Sequence, residues 1–145
     1  MSEDLLPLFL SGKVVKGFGR GSKELGIPTA NISDDAINNL PEELQLGVYF
    51  GWASLENKGI FKMVMNIGWC PYYKNEKKSL EIHLLNFFDD VYGKEIKFII
   101  TGYIRPEKEF SSIDELIKEI HNDIKIADEK LNDPKMIAYR DNPFL

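Results

Sequence analysis

The fold class this sequence predicts is a small, mainly β structure: an antiparallel barrel with one helix laid against its outside. Three observations predict it. Segments of strand composition recur through the middle of the chain, turn-forming residues separate them, and one long amphipathic helix comes near the end. Several short strands and a late helix can bury all their apolar faces in such a barrel. A β-sandwich would give similar letters, so at the level of pattern the two stay open.

Taken in order, Lys13 to Gly17 reads as a first short strand and Asp34 to Leu40 as a helical turn. Gly47 to Leu55 (GVYFGWASL) is rich in β-branched and aromatic residues. Glu56-Asn57-Lys58-Gly59 has turn composition, and Phe61 to Gly68 (FKMVMNIG) follows it, so the two runs form a hairpin. Ser79 to Leu85 alternates: Leu80, Ile82 and Leu84 share one face, and Glu81, His83 and Leu85 the other. Glu95 to Ile104 is a further apolar strand. Ser112 with Glu115 fits a capping box, in which each side chain bonds the other residue's backbone N–H. Ile113, Leu116, Ile117, Ile120, Ile124, Ala127 and Leu131 then recur at spacings of three and four, until Pro134 ends the pattern.

The 145 residues contain no repeat, linker or low-complexity run, so we expect a single domain over 1–145 with its core at about 8–131. A net charge of −5 argues against nucleic acid as a partner. Cys70 is the only cysteine, which excludes an internal disulfide and fits a reducing compartment. The acidic start and the short Leu5 to Leu10 run, broken by Pro7, do not make a secretory signal. No stretch approaches the roughly 18 apolar residues of a membrane span. We therefore expect a cytoplasmic protein. Asn31-Ile32-Ser33 matches a glycosylation sequon by letter only.

Chemistry concentrates in a few segments. Gly17-Phe18-Gly19-Arg20-Gly21-Ser22-Lys23 joins glycines that let backbone N–H groups approach an anion with two cations that suit phosphate. It matches neither common phosphate-loop motif, and a tight turn has similar letters. In Gly26-Ile27-Pro28-Thr29-Ala30-Asn31, Thr29 and Asn31 are two apart and point the same way in an extended segment. Their oxygens are hard ligands of the kind Mg²⁺ takes, although an Asx-turn at Asn31 would use the same residues. Glu81 stands mid-strand, where an acid faces solvent more often than it catalyses. His83 shares its face, and no second histidine lies at zinc-site spacing. Trp69-Cys70-Pro71-Tyr72-Tyr73-Lys74 can wall a flat ring or simply pack a loop.

In combination and in this order, these fragments resemble the riboflavin kinase family, of the monofunctional eukaryotic type. The resemblance runs through Gly12 to Lys23, Leu25 to Asn31 (with the PTAN motif at Pro28 to Asn31), Gly47 to Ala53, Asn66 to Trp69 and Pro71 to Tyr73. It continues at Lys78 to His83, Tyr92-Gly93 and Tyr103 to Lys108, so it covers roughly residues 8 to 131.

That resemblance implies a six-stranded Greek-key barrel with a C-terminal helix outside, and transfer of the ATP γ-phosphate to the riboflavin 5′-hydroxyl. Glu81 matches the catalytic acid. Gly17, Lys23, Thr29, Asn31, Leu84, Asn86 and Tyr92 match the ATP-binding positions. Arg105, Lys108 and Phe110 match the flavin-side loop, and Thr29 and Asn31 the Mg²⁺ ligands, with Zn²⁺ or Mn²⁺ as alternatives. The partners implied are riboflavin/FMN and ATP/ADP, with no nucleic acid and no membrane, acting on a monomer. The loops at Gly17 to Lys23 and Arg105 to Phe110 are expected to close over the ligands. The chain lacks the adenylyltransferase domain of bifunctional bacterial enzymes, so FMN rather than FAD is the expected product.

The sequence departs from the family in three ways. The stretch between Glu81 and Tyr92 is one residue shorter, Asn86 stands where histidine is expected, and Cys70 replaces a common asparagine. Two rivals would use the same barrel differently. A non-catalytic flavin carrier would not need Lys23, Thr29, Asn31 and Glu81 together. A single-stranded nucleic-acid module would stack bases on Tyr72 and Tyr73, and the acidic charge speaks against it.

Overall fold

The computed structural model describes residues 5–15, 30–56, 58–69, 78–85 and 92–145. Six strands form one closed barrel: β1 (Leu8–Val15), β2 (Ala30–Ile32), β3 (Gly47–Leu55), β4 (Gly59–Trp69), β5 (Lys78–Leu84) and β6 (Glu95–Arg105). Their order around the barrel is β1-β2-β5-β4-β3-β6, and every pair is antiparallel. The run β6-β3-β4-β5 is a Greek key, because three hairpin-type neighbours are joined by a fourth strand that returns beside the first. Closure decides between the two architectures left open by the sequence, in favour of the barrel.

Strand alternation builds the interior. Leu10, Val14, Ala30, Ile32, Tyr49, Met63, Met65, Ile67, Leu80, Ile82, Ile96, Phe98 and Ile100 point inward and are buried. α1 (Asp34–Asn38) closes one end with Ala36, which is wholly buried; Leu44 of the following segment joins the same cluster. Gly12 makes that closure possible, since a Cβ there would lie 2.7 Å from the Ile32 side chain and 3.1 Å from Ala36.

A second, smaller core lies outside the barrel. Val48, Phe50, Trp52, Val64 and Leu85 point outward and meet Ala127 and Leu131 of α2 (Ile113–Lys130 and its cap). Lys62 clasps the end of that helix, with Nζ 2.7 Å from both Asp128 Oδ1 and Asn132 Oδ1. No helix among the described residues is long and apolar enough to cross a membrane.

Several boundaries differ from the sequence reading. β1 begins at Leu8, five residues earlier than expected, because it pairs with β6 from Leu8↔Ile100 to Lys13↔Glu95. β2 is only three residues long and is held as a strand by pairing on both sides. Pro134 does not end helical structure; it opens a further helix, α3 (Pro134–Arg140), capped by Asp133. The capping box of α2 is half formed as expected: Ser112 Oγ accepts from Glu115 N–H at 3.1 Å. The Glu115 carboxylate reaches Ser111, not Ser112, accepting from its hydroxyl at 2.6 Å and its N–H at 3.3 Å. Those two bonds hold the Glu115 carboxyl below its usual value. The apolar stripe buries only its C-terminal half, and Ile113 is 64% exposed.

Candidate active site

Strand register lays the polar side chains of the barrel out in a belt. Val15 of β1 is opposite Asn31 of β2, Asn31 is opposite Glu81 of β5, and Glu81 is opposite Asn66 of β4. The belt continues from Asn66 to Val48 of β3 and from Val48 to Arg105 of β6. Directly paired residues project from the same face of a sheet. Ala30, Ile82, Met65 and Tyr49, one residue along, fill the interior. The belt therefore faces outward, and Glu81 sits between two amides, all three half-buried.

One end of the belt belongs to Tyr92. It is 64% exposed in the turn that enters β6, and Gly93 takes the positive φ (83°) that this turn needs. The turn is tied to the end of β1 by Gly93 N–H to Val14 O (3.0 Å) and Val14 N–H to Lys94 O (2.9 Å). Tyr92 thus lies beside the strand whose Val15 pairs with Asn31.

The other end belongs to Arg105. β6 shifts register against β3 between Val48 and Tyr49, and this bulge turns both Ile104 and Arg105 toward α2. The guanidinium forks onto Asp123, Nε to Oδ1 at 2.9 Å and Nη2 to Oδ2 at 2.8 Å. Its Cζ lies 5.7 Å from the centre of the Phe110 ring, and Lys108 Nζ lies 5.6 Å from the same ring. The loop between β6 and α2 then folds back over β4. Glu107 lies against Gly68, where a Cβ would be only 2.0 Å from Glu107 Oε1. Gly68 is two residues along β4 from Asn66, on the same outward face, so the loop reaches the strand next to Glu81.

The sequence-based site residues divide accordingly. Asn31 and Glu81 are brought side by side, and Tyr92 and the Arg105-Lys108-Phe110 group flank them on either side. Leu84 is not with them: its side chain is 5% exposed and faces the barrel interior opposite Met63. Gly17, Lys23, Thr29 and Asn86 lie outside the described residues, as do Cys70, Tyr72 and Tyr73. Among the described residues no group of three or more His, Cys, Asp or Glu could hold a metal. The hard amide oxygen of Asn31 nevertheless fits one position of a Mg²⁺ shell completed by phosphates and water.

Two members of the arrangement were not singled out from sequence. Asn66 is found only through the β4–β5 register. Asp123 left a trace: with Leu116, Ile120 and Ala127 it keeps the spacing of three and four, a charge set into the apolar stripe.

This barrel is the scaffold of an enzyme acting on a small substrate. Its belt presents an acid between amides, and Arg105, the cation among the belt's described residues, is paired with a carboxylate. A family profile described as riboflavin kinase (flavokinase) matches residues 5–131. The riboflavin kinase of Mus musculus is 49% identical over 140 residues, covering 96% of this chain and 90% of that one. The crystal structure of riboflavin kinase from Trypanosoma brucei superposes with a TM-score of 0.74 at 28% identity, covering 94% of this chain and 84% of that one. A Streptococcus pneumoniae structure titled macrolide-efflux protein shares the fold at a TM-score of 0.68 and 25% identity; it covers 83% of this chain, which spans 38% of that one. The chain belongs to the riboflavin kinase family.

Proposed function

We propose that this chain transfers the γ-phosphate of ATP to the 5′-hydroxyl of riboflavin, giving FMN and ADP, and that Glu81 is the base. The observation that carries the assignment is the continuous register Asn31–Glu81–Asn66, which fixes the acid on rigid strands between the two ends of the belt. Neighbouring strands lie about 4.8 Å apart, so Glu81 is roughly 10 Å from the β1 end, the nucleotide side.

Phosphoryl transfer depends mainly on positioning and charge stabilisation. Glu81 accepts the proton of the riboflavin hydroxyl and aims that oxygen at the γ-phosphorus. Asn31, with Thr29, holds Mg²⁺, which when bound neutralises charge on the phosphate oxygens. Gly17 and Lys23 cradle the phosphates, a role that rests on the family resemblance. Tyr92 packs beside the nucleotide. Leu84, with its side chain committed to the core, contributes through its backbone, and the part of Asn86 rests on the family resemblance. Arg105, Lys108 and Phe110 form the flavin-side wall, and the loop that carries them excludes water when it closes. The same reading takes the chain as a monomer, and residues 1–145 as one domain working in the cytoplasm.

The test is to incubate the chain with riboflavin, ATP and Mg²⁺ and separate the flavins by chromatography. FMN should appear with matched ADP. Glu81→Gln should lower kcat by about 10²–10⁴ while riboflavin still binds. Riboflavin left unchanged would point to a flavin carrier, and a near-normal kcat in the variant would remove Glu81 from the chemistry.

A further inference from the structure

We propose that Asp123 of α2 is a positioning residue that sets the flavin-side loop through the guanidinium of Arg105. The inference rests on reading Arg105 as part of the flavin wall. Asp123 is 2% exposed, yet it stands on the apolar stripe that packs α2 against the barrel. Burying a carboxylate there is costly, and an apolar side chain of similar size would often hold the helix as well. What the carboxylate adds is direction. Its two oxygens take two nitrogens of one planar fork, at 2.9 and 2.8 Å, which fixes the plane as well as the place of the guanidinium.

The rest of the loop is arranged on that plane. Arg105 Nη1 donates to Pro106 O at 3.2 Å, fixing the first peptide after the strand. Its face lies 5.7 Å from the Phe110 ring centre at the far end of the loop. Glu119, one turn before Asp123, adds a carboxylate oxygen 3.4 Å from Nε. The loop thus begins and ends on one guanidinium, and the guanidinium is fixed by α2. The helix outside the barrel thereby becomes part of the flavin side of the site without touching substrate.

The experiment is steady-state kinetics on the full chain, with riboflavin and ATP varied separately. Asp123→Asn should raise the riboflavin KM by about 10- to 100-fold, the range for a lost charged hydrogen bond, and leave the ATP KM unchanged. Arg105→Met should raise the riboflavin KM as well. Adding Asp123→Asn to it should change nothing more, since the group being positioned is gone. General damage to the fold would move both KM values and would add to the first variant. If Arg105→Met raises the riboflavin KM and Asp123→Asn does not, the proposal is wrong while the flavin role of Arg105 stands. If Arg105→Met leaves the riboflavin KM unchanged, the flavin role itself fails. Should Asp123→Asn not fold, Asp123→Glu decides: it keeps the charge but displaces the fork by about 1 Å, and an unchanged riboflavin KM there overturns the proposal.

Discussion

Replacing Gly68 by alanine should separate loop position from fold stability. Gly68 has no side chain, and the Glu107 carboxylate occupies the place where a Cβ would go, 2.0 Å from its ideal position. Ordinary contact begins at 3.4 Å, so the carboxylate must withdraw by about 1.4 Å. Pro106 to Glu109 are exposed, so the loop can yield together with Glu107 and the cost in stability should stay within about 0.5 kcal/mol. The loop bearing Lys108 and Phe110 moves with it, and a misplacement of about 1 Å can cost on the order of 10² in rate. We expect kcat/KM for riboflavin to fall by about 10- to 100-fold, with an almost unchanged urea midpoint. Adding Glu107→Ala should recover much of the loss, because the displaced group is then absent. Unchanged riboflavin kinetics in Gly68→Ala would show that the loop's seat on β4 has no part in the reaction. A loss of several kcal/mol would show that Glu107 cannot swing away, contrary to the argument.

Other expectations test separate parts of the structure. Asn31→Ala should raise the Mg²⁺ concentration needed for half-maximal turnover, and an unchanged titration would remove Asn31 from the metal shell. The Tyr103 hydroxyl is buried with no hydrogen-bond partner among the described residues, so Tyr103→Phe should be neutral or stabilising by up to about 2 kcal/mol in urea denaturation; a clear loss would reveal a bond in solution. Trp52→Phe removes the 2.9 Å bond from Nε1–H to Met136 O and weakens stacking by Arg140, which should cost about 1–2 kcal/mol and loosen α3 in hydrogen exchange with kinetics intact. Burial pushes the Asp123 carboxyl above its ordinary 3.8, against the lowering by Arg105. The folded state therefore keeps this proton to higher pH than the unfolded chain does. Asp123's contribution is fullest below 3.8 and declines as pH rises through the raised value. The stability of the native chain relative to Asp123→Asn should fall across that window, and a rise would contradict the burial argument.

How much of this was legible in the sequence depended on how local the cause was. Leu80, Ile82 and Leu84 alternate with Glu81 and His83, and that period alone placed Glu81 on the outer face. The start of β1 was hidden because Leu8 to Leu10 follows Pro7 and gains its extended form from pairing with β6. β2 is too short for propensity to sum over, and its pairing with β1 and β5 makes it a strand. Proline was read as a stop at Pro134, although at a first helical position its missing N–H costs nothing, and Asp133 caps Lys135 N–H at 2.9 Å. The partnership of Arg105 with Asp123 needed a bulge and the docking of a helix, neither of which leaves a periodic signal.

Closure of the ring has a consequence for how such a chain can vary. In an open sheet an outer strand can slip against its single neighbour at modest cost. Here each strand answers to two neighbours, and the circuit returns to its start. Shifting β5 by one residue would turn Glu81 inward and Ile82 outward, and the mismatch would have to be absorbed all the way round. Changes of length are thus confined to the connections between strands. The loops can be rewritten to suit a ligand while the belt that carries the acid keeps its count.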